Sequence, residues 1–149
     1  MVHVLSPLTG AAVPLASVPD PLFAAGAMGP GIAIAPPERP LEVVAPIDGT
    51  LAQVFPHAFV VAADDGLAVL VHLGIDTVGL GGAGFIALAA KGDRVEAGAS
   101  IVTYDVPAIL AAGLSAVVPV VVLERPAEAV AVLVADGAAL QPGTALLSA

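Results

Sequence analysis

Two histidines at the ends of a short apolar hairpin are the residues of this sequence with the most evident chemistry. The chain has three histidines and no cysteine, so the available nucleophile of this kind is an imidazole rather than a thiolate. His57 opens one apolar run, His72 closes the next, and Asp65-Gly66 lies between them as a strong turn signal. The pattern predicts antiparallel strands over residues 57–63 and 67–73, with both histidines at the same end.

The pairing register decides whether the two rings meet. With Asp65-Gly66 as a two-residue loop, His72 faces Phe59, and the other histidine is its diagonal neighbour. With Asp64-Asp65 as the loop, His57 faces His72 directly. Both registers place the imidazoles on one face of the sheet, with Cβ atoms about 5 to 8 Å apart. A three-residue loop without a compensating bulge would instead place them on opposite faces.

A facing pair of imidazoles in apolar surroundings can carry a phosphoryl group. A neutral imidazole nitrogen is a good nucleophile near neutral pH, and the phosphoramidate that it forms is labile enough for onward transfer. The second ring can hydrogen-bond the phosphoryl oxygens. Phe59, Leu70 and Leu73 would exclude water from the site.

Two other interpretations of the histidine pair stay open. Histidines in strands often have a structural role, since buried imidazoles need hydrogen-bond partners. The other interpretation is a metal site such as a zinc site, in which His57 and His72 are joined by a carboxylate such as Asp76.

Composition limits the classes of protein to consider. The 149 residues are 58% hydrophobic and 11% charged, which is ample for the core of one domain. A net charge of −9 with four Lys and Arg disfavours binding to nucleic acid or to an anionic membrane. The apolar stretch 106–123 is interrupted by Pro107, Gly113 and Pro119, so it does not predict a spanning helix. With no basic N-terminal segment of the secretory type, we expect a cytoplasmic chain without membrane insertion.

Frequent turns indicate an all-β fold. The chain has 16 glycines and 14 prolines, and its apolar runs are short and bounded by turn residues. Residues 6–13 resemble residues 45–52, and residues 91–98 are echoed by residues 135–143, which indicates a duplicated β unit. Helix is expected to be minor. It is predicted at residues 107–113, which begin with proline and end with glycine, and at the alanine-rich residues 126–135.

Residues 66–78 closely resemble the histidine signature of the glucose-type enzyme IIA (EIIA) family of the bacterial phosphoenolpyruvate-dependent sugar phosphotransferase system. That signature runs glycine, an apolar strand, histidine, apolar, glycine, apolar, any residue, threonine and apolar, and every position fits. The similarity extends over most of the chain, through residues 6–10, 18–23, 29–34, 45–50, 56–59 and 91–95. It implies a β-sandwich built on a duplicated hybrid motif, with residues 1–149 as a single domain of this type.

The resemblance also implies a phosphoryl relay for sugar transport. A histidine-containing phosphocarrier protein donates its phosphoryl group to the histidine that matches His72. The group then passes to a cysteine on the IIB domain of a sugar permease, assisted by the histidine that matches His57. Phosphoenolpyruvate is the ultimate source, and no cofactor is required. The sequence does not identify the sugar.

Four residues near the histidines are predicted to contact these partners. Asp76 matches an acidic position of the family and could meet a basic partner residue, and Gly74 would let a partner approach closely. Phe59 and Leu73 are assigned to the apolar docking surface around the pair. Structural interpretations stay open for two of them: Asp76 as a solvated turn residue, and Gly74 as a bulge or strand end.

The sequence departs from the family pattern just before the first histidine. Relatives often carry a threonine there that can hydrogen-bond the second imidazole, whereas Phe55-Pro56-His57 is shorter and lacks it. The group that fixes the tautomer of His72 is therefore left undetermined.

The alternative function is a regulatory module of the same fold. It would bind a transporter or a kinase, and it could share a zinc ion held by His57, His72 and a ligand from the partner.

Overall fold

Short apolar runs that end at glycine or proline form antiparallel strands throughout the computed structural model, which describes residues 2–149. Within those residues the strands, numbered along the chain, are β1 (His3–Leu5), β2 (Gly10–Val13), β3 (Gly31–Ala35), β4 (Pro40–Val44), β5 (Gly49–Phe55), β6 (Ala58–Ala62), β7 (Ala68–His72), β8 (Phe85–Ala87), β9 (Arg94–Val95), β10 (Ser100–Asp105), β11 (Val118–Val122), β12 (Ala131–Val132), β13 (Ala139–Leu140) and β14 (Ala145–Ser148). The all-β prediction is confirmed.

The strands form one large and two small sheets. The large sheet has the order β13-β2-β3-β11-β7-β6-β5-β9, and the small sheets have the orders β1-β14-β12 and β4-β10-β8. Hairpin connections join β5 to β6 and β6 to β7, so the two predicted histidine strands are central neighbours.

The two sequence repeats make equivalent backbone contacts. Strand β2 pairs with β13 as β5 pairs with β9, and Gly10↔Leu140 in the first pair corresponds to Gly49↔Val95 in the second. Further equivalent bonds are Ser6 N to Thr144 O with Ala45 N to Ala99 O, and Gly143 N to Ser6 O with Gly98 N to Ala45 O. The sequence repeats therefore correspond to a duplicated structural unit.

Both faces of the large sheet are buried at its centre. Alternate residues of β7 show this: Val69 and Val71 belong to the main core, and Leu70 belongs to a second core on the opposite face. The segment after β2 covers this second face and contributes Val18 and Phe23. His72 follows Leu70 by two residues, so its side chain leaves the strand on the face of the second core.

Helices are short, and one prediction is wrong. Helix α1 (Pro21–Ala24) was not predicted, although Asp20-Pro21 is a typical helix start. Helix α2 (Val106–Ala111) confirms the predicted helix at 107–113. In residues 126–135 there is instead one 3₁₀ turn (Ala127–Ala129), followed by β12, because alternate valines there favour a strand that pairs with β14. No helix in residues 2–149 has the length and apolar character to span a bilayer.

Candidate functional site

The β6–β7 hairpin has a register that neither two-residue loop predicts. Ala58 pairs with His72 and Ala62 with Ala68, and Ala63 N donates to Leu67 O. The loop therefore contains three residues, 64–66, and Gly66 takes a φ of 92° to close it. By strand alternation this register would place the two imidazoles on opposite faces.

The rings meet because His57 is not in a strand. Phe55 pairs with Ala58, so Pro56-His57 is the two-residue turn that joins β5 to β6. A turn residue is free of the strand alternation, and the His57 ring lies 5.2 Å from the His72 ring between centroids, at an interplanar angle of 72°. The predicted convergence is thus observed, but the turn produces it rather than the hairpin register.

One backbone carbonyl fixes the tautomer of His72. Its Nδ1 lies 2.6 Å from Gly74 O, and a carbonyl oxygen can only accept, so Nδ1 carries the proton and donates. Nε2 is then the nitrogen with the free lone pair. Gly74 takes a φ of 82°, and Ile75 N, which lies in the same peptide plane as the Gly74 carbonyl, donates to Ser115 O and holds this carbonyl in place. This carbonyl supplies the tautomer-fixing partner that the sequence left undetermined.

Two phenylalanines flank the histidine pair. Phe23 lies against His72, with ring centroids 5.2 Å apart and an interplanar angle of 59°. Phe55 stacks on His57, with centroids 6.0 Å apart and an angle of 29°. Neither residue has a role that was predicted from the sequence. The phenylalanine next to the Pro56-His57 turn was the available signal for the second of them.

Burial favours the neutral form of both imidazoles. It lowers the pKa of His57, and the neighbouring His72 lowers that pKa further. Burial also lowers the pKa of His72 below its ordinary value of 6.5, although the Gly74 carbonyl, Asp20 and Asp76 all oppose this shift. A neutral ring retains the lone pair that a nucleophile needs.

Both histidines are expected to titrate below pH 6.5, because their folded-state pKa values are lowered from that value. The folded chain then binds fewer protons than the unfolded chain at mildly acidic pH, so stability is present above pH 6.5 and declines as the pH falls. Titration of the ring protons by NMR checks this, with a short histidine peptide as the reference. A midpoint for His72 at or above that of the peptide contradicts the prediction.

Three of the four predicted partner-contact residues are buried, so in this structure they do not form the surface around the histidines. Phe59 is 1% exposed and Leu73 0% exposed, because both point into the main core. Gly74 is also buried, and a Cβ there would lie 2.6 Å from Thr77 Cγ2, so its small size serves packing within the chain. Asp76 is exposed and begins the 3₁₀ turn Thr77–Leu80.

The exposed apolar residues near the site are different from those predicted. We define the apolar rim as Leu22, Phe55 and Val78, which are 59%, 52% and 67% exposed. Leu22 precedes the phenylalanine that contacts His72, and Phe55 stacks on His57. Val78 follows Asp76 in a segment that returns beside Pro56 at Gly82.

The described residues do not offer enough ligands to bind a metal ion without a partner. No group of three or more His, Asp or Glu side chains suited to a metal occurs within residues 2–149, so Asp76 does not complete a three-ligand set with the histidines. Because His72 Nδ1 is engaged by Gly74 O, only its Nε2 could ligate. Zinc sites normally have at least three protein ligands, so the remaining ligands would have to come from a partner.

The sequence of this chain is similar to one protein family and to individual proteins of known description. Residues 2–127 match the family described as phosphoenolpyruvate-dependent sugar phosphotransferase system, EIIA 1. A mannose-specific EIIBCA component from Corynebacterium glutamicum is 47% identical over 124 residues, which is 82% of this chain and 18% of that protein. A glucose-specific EIIA component from Staphylococcus aureus is 42% identical over 123 residues, which is 81% of this chain and 73% of that protein.

A solved structure shares the fold as well. Glucose permease IIA from Mycoplasma capricolum superimposes with a TM-score of 0.87 at 30% sequence identity, covering 98% of this chain and 94% of that one. The family match, the sequence relatives and this structure agree with the resemblance carried by the histidine signature. The chain belongs to the glucose-type EIIA family of the phosphoenolpyruvate-dependent sugar phosphotransferase system.

Proposed function

We propose that this chain is a phosphocarrier that accepts a phosphoryl group on Nε2 of His72. The donor is a histidine-containing phosphocarrier protein, and the acceptor is a cysteine on the IIB domain of a sugar permease. The observation that carries the proposal is the hydrogen bond from His72 Nδ1 to Gly74 O. It directs the free lone pair to Nε2, in a ring that adjoins a second imidazole.

The chemistry is a direct exchange of nitrogen–phosphorus bonds. Nε2 of His72 attacks phosphorus as the nitrogen–phosphorus bond of the donor breaks, and the electron pair of that bond stays on the donor nitrogen. Positive charge develops on the accepting ring, and the Gly74 carbonyl stabilises it through the Nδ1–H that it already accepts. In the second transfer, the thiolate of the IIB cysteine attacks phosphorus and Nε2 departs as a neutral imidazole nitrogen.

His57 stabilises the phosphoryl group during both transfers. Its ring lies 5.2 Å from that of His72, which brings an N–H within reach of phosphoryl oxygens on Nε2. Such hydrogen bonds to a charged acceptor are about twice as strong as neutral ones. Phe55 stacks on this ring and limits its movement.

Charge and apolar surface favour partners with basic and apolar patches. The chain carries a net charge of −9, and both Asp20 and Asp76 act electrostatically on His72. Within the apolar rim, Phe55 stacks on His57, and Leu22 precedes Phe23, which contacts His72. A basic partner would therefore be steered to the site and docked by the rim through a transient interface in the cytoplasm.

Phosphoenolpyruvate and the general phosphotransferase proteins are expected to phosphorylate the chain once. Mass spectrometry of the intact protein under non-acidic conditions measures this, and fragmentation assigns the modified residue. One phosphoryl group on His72, discharged by an added IIB domain, supports the proposal. An unmodified chain, or a phosphoryl group on another residue, contradicts it.

The alternative is a regulatory module that binds a transporter or kinase and shares a zinc ion with it. The favouring observation is a pair of imidazoles 5.2 Å apart without a third ligand among residues 2–149, which a partner carboxylate would complete. In that case the chain would resist phosphorylation, and zinc would raise its affinity for the partner.

A further inference from the structure

A turn outside the histidine pair holds the ring that packs on His72. Asp20 precedes α1, and its Oδ1 accepts hydrogen bonds from Leu22 N at 2.9 Å and from Phe23 N at 3.3 Å. Pro21 occupies the first turn of α1, where its fixed φ suits a helix start. The cap therefore fixes the direction in which the Phe23 side chain leaves the backbone.

Phe23 is a core residue rather than part of the partner surface. It is 5% exposed and belongs to the second core with Leu70, Ile75 and Val121. From there its ring reaches His72 at 5.2 Å between centroids. One side of the imidazole is thus closed by a packed aromatic ring instead of water.

The imidazole of His72 needs this second support. The hydrogen bond from Nδ1 to Gly74 O fixes one atom of the ring, but a ring held at one atom can still rock about that contact. Packing against Phe23 restricts the rocking and so fixes the direction of Nε2. Small misplacements of a reacting atom are costly to rate, because the attack requires alignment with the breaking bond.

We propose that Asp20 is a positioning residue for phosphoryl transfer: through its cap on α1 it holds Phe23 against His72, and this directs Nε2 towards the side of His57. The inference rests on the proposed function of His72 as the acceptor. Its distinctive claim is that the hydrogen-bond acceptor of Asp20 acts on His72 through Phe23, separately from the charge that steers a basic partner to the site.

Asp20→Ala and Asp20→Asn separate these roles. Removing the cap in Asp20→Ala should slow phosphoryl acceptance about tenfold by misaligning Nε2, and the ring-proton NMR shifts of His72 should move as the ring current of Phe23 changes. Asp20→Asn should keep the shifts, because the asparagine Oδ1 accepts the same bonds and asparagine is an equally good cap. At an ionic strength high enough to screen the steering of a basic partner, it should also keep the rate. Phe23→Leu removes the ring while remaining apolar, and should reproduce the slow rate.

Asp105 provides a matched control, since it caps α2 by accepting from Ala108 N, also with a proline in the first turn. Asp105→Ala should leave both the acceptance rate and the His72 shifts unchanged. An Asp20→Ala chain with the wild-type rate and shifts overturns the inference, and so does Asp20→Asn as slow as Asp20→Ala at that ionic strength. If Asp20→Ala does not fold, Phe23→Leu decides: a wild-type rate overturns the inference. Failure of the wild-type chain to accept phosphoryl would contradict the proposed function itself, whereas the shifts would still test how the ring is held.

Discussion

Replacing His72 by asparagine is expected to abolish phosphoryl acceptance without unfolding the chain. The asparagine amide nitrogen lies near the place of Nδ1 and can donate to Gly74 O, as the imidazole does at 2.6 Å. The nucleophilic Nε2, however, is absent. Because the hydrogen bond is retained, the free energy of unfolding should change by only about 1 kcal/mol. Intact-protein mass spectrometry measures acceptance, and urea denaturation measures stability.

The matched control is His57→Gln, which removes the second imidazole and leaves the first. This variant should still accept a phosphoryl group on His72 but pass it to the IIB domain about a hundredfold more slowly, as expected when a positioned hydrogen-bonding group is lost. A phosphoryl group on His57 in the His72→Asn chain would reverse the assigned roles. Equal loss of acceptance in both variants would show that the pair accepts as a unit.

The sequence predicts the meeting of the histidines, but not the geometry that produces it. Asp64-Asp65-Gly66 accommodates either a two- or a three-residue loop, and the observed three-residue loop opposes the same-face arrangement. The prediction survives because His57 lies in the preceding Pro56-His57 turn. Side chains alternate between the two faces of a strand. An error of one residue in the position of a strand end therefore reverses the face that is inferred for each side chain.

Burial is harder to predict than strand identity in this chain. Phe59 and Leu73 are apolar residues beside the site, and they were assigned to its surface. Both faces of the central strands are in fact covered, and these two side chains belong to the main core. The type of an apolar residue next to a histidine does not show whether its side chain faces a partner or a core. For Phe59 the register decides the face, because the three-residue loop pairs it with Val71 of the main core instead of with His72.

The group that fixes the tautomer of His72 is not a side chain, so it cannot be recognised from residue type. It is the backbone carbonyl of Gly74, which any residue possesses, and only the observed fold shows that it points at Nδ1. The duplicated unit is different, because its equivalent turns need glycine at Gly10 and Gly49, where the added Cβ would meet backbone oxygen. Because both positions require glycine, the repeat is visible in the sequence, and the duplicated unit could be predicted from it.

Replacing Gly74 by alanine is expected to lower the free energy of unfolding by about 3 kcal/mol and to disturb phosphoryl acceptance. Its φ of 82° costs an L-residue about 1 to 2 kcal/mol. The new Cβ would also lie 2.6 Å from Thr77 Cγ2, 3.0 Å from Ser115 O and 3.1 Å from Tyr104 Oη. Crowding of this kind in a packed interior adds about 1 to 3 kcal/mol.

Comparison with Gly66→Ala separates the cost of crowding from the cost of backbone strain. Gly66 has a similar φ of 92°, but a Cβ there meets nothing within 4 Å, so only the backbone cost of about 1 to 2 kcal/mol is expected. Urea denaturation of both variants gives the difference, and phosphoryl transfer shows whether the Gly74 carbonyl has moved away from Nδ1. Equal losses of stability would mean that the loop relaxes around the new methyl group. Normal acceptance by the Gly74→Ala chain would mean that the tautomer of His72 does not depend on the close packing beneath this carbonyl.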